Sequence, residues 1–302
     1  MPLRHDMPRA VLLMLSACAI FTLMSVWVKQ LSETIPFPEQ MFFRSALAMP
    51  VVMLVALRSR PGTGVIDVFR TRRFPGHLLR AVTGTLGMGS AFYALTILPL
   101  AEQTALTNTT PIFATLLAIP FLGEKVGIHR AAAVGLGFLG ILVIAIGQGA
   151  FLGTPTPAAQ WGLVTAVLHG VFSACTTLLV RSLSASERTT TIVMWQSLLM
   201  TVITGLTLPF LWVTPSWEEL MLLVAIGLLG GLAQVMLTEA WASAEVSALA
   251  PYSYSSLLWA ILFGWIAFGD VPGLATLIGA VLIVAASLYI LQHELKRDRR
   301  RR

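Results

Sequence analysis

Charge is what this sequence has least of. Asp, Glu, Lys and Arg make up 11% of its 302 residues, less than half the roughly 25% of a soluble domain. Too few polar side chains remain to cover a water-facing surface. With 56% hydrophobic residues and a mean hydropathy of +0.81, the solvent this chain is written for is lipid. Cysteine is scarce too. Cys18 and Cys175 lie in separate apolar runs without disulfide or metal-site spacing, and read as small hydrophobes. Also missing are a phosphate-binding P-loop, an aspartate-rich prenyl-diphosphate motif and paired zinc histidines. Gly87-Met88-Gly89-Ser90-Ala91 approaches an intramembrane serine-protease turn, but Ala91 stands where that motif needs glycine. An integral-membrane enzyme is therefore the remote alternative, and no cofactor or metal is implied. The net charge of +6 does not point to nucleic acid, because the basic runs at 70–73 and 299–302 adjoin apolar stretches. Such flanks are topology signals.

What is present is a succession of long apolar runs. A hydrocarbon core about 30 Å thick takes about 20 apolar residues per helix. Windows between charges and turn residues predict ten spans, near 10–28, 39–57, 77–97, 103–121, 130–147, 160–180, 190–211, 218–240, 248–268 and 273–291. Continuous apolarity rather than alternation excludes a β-barrel. The basic start and Leu15-Ser16-Ala17-Cys18 resemble a lipoprotein leader. The apolar run continues to Val28, however, so a span is expected and not a cleaved leader. Arg4, Arg9, Arg58, Arg60, Arg70, Arg72, Arg73, Arg80, Lys125, Arg130, Arg181, Arg188 and the Lys296–Arg302 tail fall on one side of a ten-span chain. Loops 148–159, 212–217 and 269–273 carry no Lys or Arg. Both termini are therefore expected in the cytoplasm.

The chain also repeats itself. Leu98 to Glu124 (LPLAEQTALTNTTPIFATLLAIPFLGE) is echoed by Trp241 to Asp270 (WASAEVSALAPYSYSSLLWAILFGWIAFGD). Both run from Ala-Glu through a polar, proline-bearing patch and an apolar stretch to Gly-Glu/Asp. Phe43-Arg44-Ser45 parallels Trp195-Gln196-Ser197, and Gly84-x-x-Gly87 parallels Gly227-x-x-Gly230. The expected units are residues 1-150 and 151-302, five helices each. Because five is odd, the second is inverted relative to the first. Inverted repeats are a feature of secondary transporters, whose substrate site lies at the repeat interface.

On these residues the chain resembles the EamA branch of the drug/metabolite transporter superfamily along essentially its whole length. The carriers of the resemblance are Ala101-Glu102 to Gly123-Glu124, Ala244-Glu245 to Gly269-Asp270, and Arg44. Asp270 departs from the glutamate more usual there. The resemblance implies an all-α integral membrane protein with a 5+5 inverted repeat and a central cavity, exporting or exchanging small metabolites. It is similar to exporters of aromatic amino acids, and to carriers described as taking up riboflavin or S-adenosylmethionine.

Intramembrane polar residues are the candidate site, since each is costly in lipid. Glu239 suits a substrate amine or a coupling proton. His169 suits a proton relay or a ligand hydrogen bond, and Arg44 a substrate carboxylate. Tyr252 and Tyr254 suit stacking on a ring while their hydroxyls orient it. Asn108 belongs to the matching patch of the first copy, and Trp241 and Tyr93 are weaker members of the set. Lys29 reads as an interfacial anchor, and the membrane glycines as helix-packing contacts. The expected function is alternating-access export of small amphipathic metabolites, amino acids including aromatic ones, across a bacterial inner membrane. The expected partners are a small-molecule substrate, protons for coupling and the bilayer, but no nucleic acid. The chain is expected to act as a monomer or weak homodimer.

Overall fold

Twelve helices make up the described part of the chain, with no strand among the described residues. The structure is a computed structural model that describes residues 7–59, 64–110, 112–114, 116–117, 128–147, 157–184, 186–243 and 252–301. The helices are α1 Met7–Leu31, α2 Phe37–Ser59, α3 Val65–Phe69, α4 Phe74–Ile97, α5 Leu100–Thr107, α6 Ile128–Gly147, α7 Pro157–Ser184, α8 Thr189–Gly205, α9 Leu208–Leu211, α10 Trp217–Ser243, α11 Ser255–Phe268 and α12 Leu274–Arg301. Four are long and apolar enough to cross a membrane unaided, within Pro8–Leu31, Phe37–Arg58, Pro157–Val180 and Trp217–Leu237. At 24 residues, about 36 Å, α4 has the length, but Arg80 and its threonines and glycines dilute its apolarity.

Large apolar side chains point outward: Leu79 and Leu86 on α4, Leu139 and Leu142 on α6, Leu258, Trp265 and Ile266 on α11. The buried core mixes many alanines with leucines, isoleucines, valines and methionines. Large apolar side chains on the outer surface are expected where lipid is the solvent, and alanines between helices let them approach closely. Many hydroxyls within the helices are satisfied locally, as where Thr22 donates to the Cys18 carbonyl at 2.8 Å and Thr204 to the Met200 carbonyl at 2.7 Å.

Helix pairing crosses the midpoint of the chain. The most extensive contacts are α4 with α7, α6 with α12, α1 with α10, α2 with α10 and α2 with α8. Each joins an element before residue 150 to one after it. Lesser pairs, α1 with α11, α4 with α8, α5 with α11 and α5 with α7, do the same.

Two windows expected as single spans are broken. Residues 190–211 divide into α8 and α9, with a turn at Leu206-Thr207. Pro209 opens α9 and has no N–H to continue the ladder, while the Thr207 hydroxyl takes the Thr204 carbonyl at 2.6 Å. Residues 103–121 break at Asn108-Thr109. Pro111 cannot donate to the Thr107 carbonyl, and the Thr110 hydroxyl donates to it instead at 3.1 Å.

Candidate functional site

Arg44 lies two turns into α2, and the structure places it on the wall of a small cavity, about 20 Å³. The lining residues come from four helices. Arg44, Ala48 and Val52 belong to α2, Arg80 to α4, Val193, Gln196 and Ser197 to α8, and Gly230 and Gln234 to α10. The i, i+4, i+8 spacing of the α2 residues puts them on one helix face, along about 12 Å of axis. Glycines let these polar side chains fit between helices. A Cβ on Gly84 would sit 3.0 Å from Gln196 Nε2, and one on Gly230 would sit 3.5 Å from Arg44 Nε.

Arg80 is the residue that sequence reasoning misplaced. Its position after a basic loop reads as a flank, but α4 begins at Phe74 with proline in its first turn, and Arg80 is only 7% exposed. Phe74-Pro75 was the signal that could have found it, because proline favours a helix's first turn and puts residue 80 almost two turns inside. Its Nη1 donates to the Ile192 carbonyl at 3.4 Å, a long bond. Neither Arg44 nor Arg80 is ion-paired among the described residues. Burying one unpaired guanidinium costs on the order of several kcal/mol. Arg44 and Gln196, which stand in the echoed segments Phe43-Arg44-Ser45 and Trp195-Gln196-Ser197, meet in one cavity.

The other sequence candidates are dispersed. His169 on α7 lies 2.8 Å through Nδ1 from the Gly87 carbonyl, so the nitrogen carries the proton and the ring ties α7 to α4. Tyr93 is half-buried edge-on to Phe37, ring centroids 5.9 Å apart. Asn108 turns back on its own helix, donating to the Thr104 carbonyl at 2.9 Å. Tyr252 is exposed and Tyr254 half-buried at the start of α11. Between them the Ser253 carbonyl accepts from the Cys18 thiol at 3.6 Å. Trp241 lies in the last turn of α10, but its side chain is outside the described residues, as are Pro111, Pro251 and the Gly123-Glu124 and Ala244-Glu245 pairs.

Glu239 does not line the cavity. It is more than half exposed and meets Arg9 at 3.4 Å, tying the start of α1 to the end of α10. The far end of α1 is tied in a matching way. Lys29 donates to the Leu98 carbonyl at 2.7 Å, stands 3.8 Å from Asp270 and lies 5.1 Å from the Phe268 ring centroid. Gly269 makes this possible. At φ +69° it ends α11, its N–H reaching the Trp265 carbonyl and that of Asp270 the Gly264 carbonyl. This reversal aims Asp270 at Lys29. Glu102, also nearly buried, accepts from the Thr276 hydroxyl at 3.0 Å. Lys29 is thus more deeply engaged than an interfacial anchor would be.

The model of the EamA-like transporter family matches residues 8–146 and again 160–292. The chain belongs to the EamA-like transporter family. This EamA protein is 31% identical over 294 residues to a riboflavin transporter of Rhizobium johnstonii, covering 95% of this chain and 92% of the relative. It is 31% identical over 284 residues to the pseudopaline exporter of Pseudomonas aeruginosa, covering 92% and 94%. An S-adenosylmethionine uptake transporter of Rickettsia felis is 28% identical over 230 residues, covering 76% of each chain. A solved crystal structure superposes with a TM-score of 0.65 at 20% identity, covering 93% of this chain and 94% of that one, a likeness of fold. The EamA protein is accordingly a membrane transporter of the drug/metabolite superfamily, similar to carriers of small metabolites.

Proposed function

We propose that this EamA protein is a secondary transporter that moves small amphipathic metabolites across the bacterial inner membrane by alternating access. In this reading residues 1-150 and 151-302 are inverted five-helix units, the helices form ten spans, and both termini are cytoplasmic. The observation that carries the reading is the pairing of helices across the midpoint. Exchanging each span with its counterpart five spans away turns α1–α10 into α7–α4, and α2–α10 into α8–α4. The pairs α6–α12, α2–α8 and α5–α11 map onto themselves under the same exchange. That is the pattern a two-fold axis in the membrane plane would leave. The cavity supports it as well, because α2, α4, α8 and α10 are two such symmetry pairs, and a substrate site is expected where they meet.

Amino acids, including aromatic ones, are the solutes proposed, with export the direction. A second reading, uptake of riboflavin or S-adenosylmethionine, is favoured by what the relatives are named for. Counterflow in proteoliposomes separates them. Preloaded unlabelled amino acid is expected to draw in labelled tryptophan or phenylalanine. Exchange of riboflavin alone would sink the amino-acid reading, and exchange of no solute would sink transport.

Protons are the proposed coupling ion and Glu239 the proposed carrier, since protonation releases Arg9 and with it the tie between α1 and α10. So exposed a pair contributes under about 1 kcal/mol. Glu239→Gln is expected to flatten the pH dependence of flux while changing its maximum less than about tenfold. An unchanged pH profile would remove Glu239 from coupling. The unit is proposed to work as a monomer or weak homodimer, with no catalytic role.

A further inference from the structure

Transport by itself does not explain why two guanidinium groups are buried in one cavity. Arg44 Nε and Arg80 Nε are both buried without a hydrogen-bond partner among the described residues. Among the described residues, no carboxylate is ion-paired with either arginine. Glu239 is paired with Arg9 and Asp270 with Lys29. Glu102 is bonded to Thr276, and Glu39, whose Oε2 accepts from the Val213 N–H while its Oε1 has no partner among the described residues, does not line the cavity. Arginine does not lose its proton in a protein, so neither group escapes by neutralising itself. An uncompensated buried charge is strongly unfavourable, and two in one cavity repel each other besides. The missing element is an anion that arrives from outside.

The shape of the cavity limits which anion. A volume of about 20 Å³ takes one or two water-sized groups, which is the head of a solute and not its body. Two coplanar oxygens fit that space and match the guanidinium fork, which binds carboxylate bidentately. A tetrahedral phosphate is bulkier. Ser197 and the amide of Gln196 line the same walls and offer further donors. Among the described residues, no acidic side chain lines the cavity to receive an ammonium group.

We propose that this cavity is a carboxylate-binding subsite held by Arg44 and Arg80, and that the transported solute carries at least one carboxylate. The proposal rests on the transport reading and narrows it. Organic acids and amino acids fit. A neutral flavin supplies no counter-charge, and a solute of net positive charge is repelled.

The test uses the full chain, purified in detergent micelles, and the binding of 3-phenylpropionate, phenylalanine, phenethylamine, phenyl phosphate and riboflavin by calorimetry. The first two are expected to bind and the other three to bind at least about tenfold more weakly. Arg44→Gln and Arg80→Gln are each expected to weaken 3-phenylpropionate about 30-fold or more, the usual result of removing one partner of a buried charge pair. Arg58→Gln, at the exposed end of α2, is expected to leave binding unchanged. If an arginine variant fails to fold, Gln196→Glu serves instead. It puts a fixed carboxylate in the cavity, so it is expected to raise the melting temperature and abolish 3-phenylpropionate binding. Phenethylamine or phenyl phosphate binding as tightly as 3-phenylpropionate would overturn the proposal. So would a Gln196→Glu protein that melts lower and still binds it. Flux assays keep the two readings apart. Flux of riboflavin alone defeats the subsite and leaves transport standing, whereas carboxylate binding without flux of any solute defeats transport and leaves the subsite.

Discussion

Joining positions 29 and 270 by a short, reducible cross-linker is expected to stop transport almost completely, and a reductant to restore it. The experiment uses Lys29→Cys and Asp270→Cys in a background with Cys18 and Cys175 replaced by alanine, treated with a bifunctional thiosulfonate. Lys29 closes the far end of α1 against the segment after α11 through the Leu98 carbonyl, Asp270 and the Phe268 ring. Arg9 and Glu239 hold the other end of α1 to α10. The two ties are 20 residues apart, about 30 Å along the helix, which is the thickness of the hydrocarbon core. Alternating access requires these ends to open in turn, so fixing one removes half of the cycle. Solute flux in proteoliposomes before and after reduction is the measurement. A cross-linked protein transporting at more than half the reduced rate would show that the Lys29 end does not open.

Gly227→Ala is expected to destabilise the protein by about 1–3 kcal/mol, the usual cost of overpacking. A Cβ there would lie 2.5 Å from Leu47 Cβ and 2.8 Å from the Phe43 carbonyl, so α2 and α10 must part. Gly135→Ala makes the contrast. Nothing lies within 4 Å of its added methyl, and alanine's helix propensity should leave stability unchanged or raise it by up to about 1 kcal/mol. Thermal melting of both variants in the same detergent decides the matter. Equal melting temperatures would mean that the α2–α10 seam tolerates a methyl group.

That pair of glycines also marks the limit of what the sequence discloses. Both sit in apolar runs at small-residue spacing, and only the facing helix tells Gly227, pressed on Leu47, from Gly135, turned outward. The helices themselves were legible, since long apolar runs in a charge-poor chain leave few alternatives. Breaks inside a run were not, because they turn on single positions such as Pro209, which lacks the N–H to continue the ladder. Arg44 was legible as a charge deep in an apolar run, whereas Arg80, next to a basic loop, resembles the loop's own arginines. Only the helix start at Phe74 shows that it is buried. The threonines and asparagine at 107–110 look like donors waiting for a ligand, yet most of their hydrogen bonds return to the same helix.

Pairing across the midpoint has a consequence for how the protein is made. α1 finds its main neighbour in α10, α4 in α7 and α6 in α12, so the helices before residue 150 cannot complete their packing among themselves. At about 5–20 residues per second, translation of the second half takes roughly 10–30 s. Throughout that interval the helices of the first half lack the main neighbours they pack against. Membrane chaperones and proteases would meet this half-built intermediate first, and a chain truncated near residue 150 should be cleared rather than accumulate.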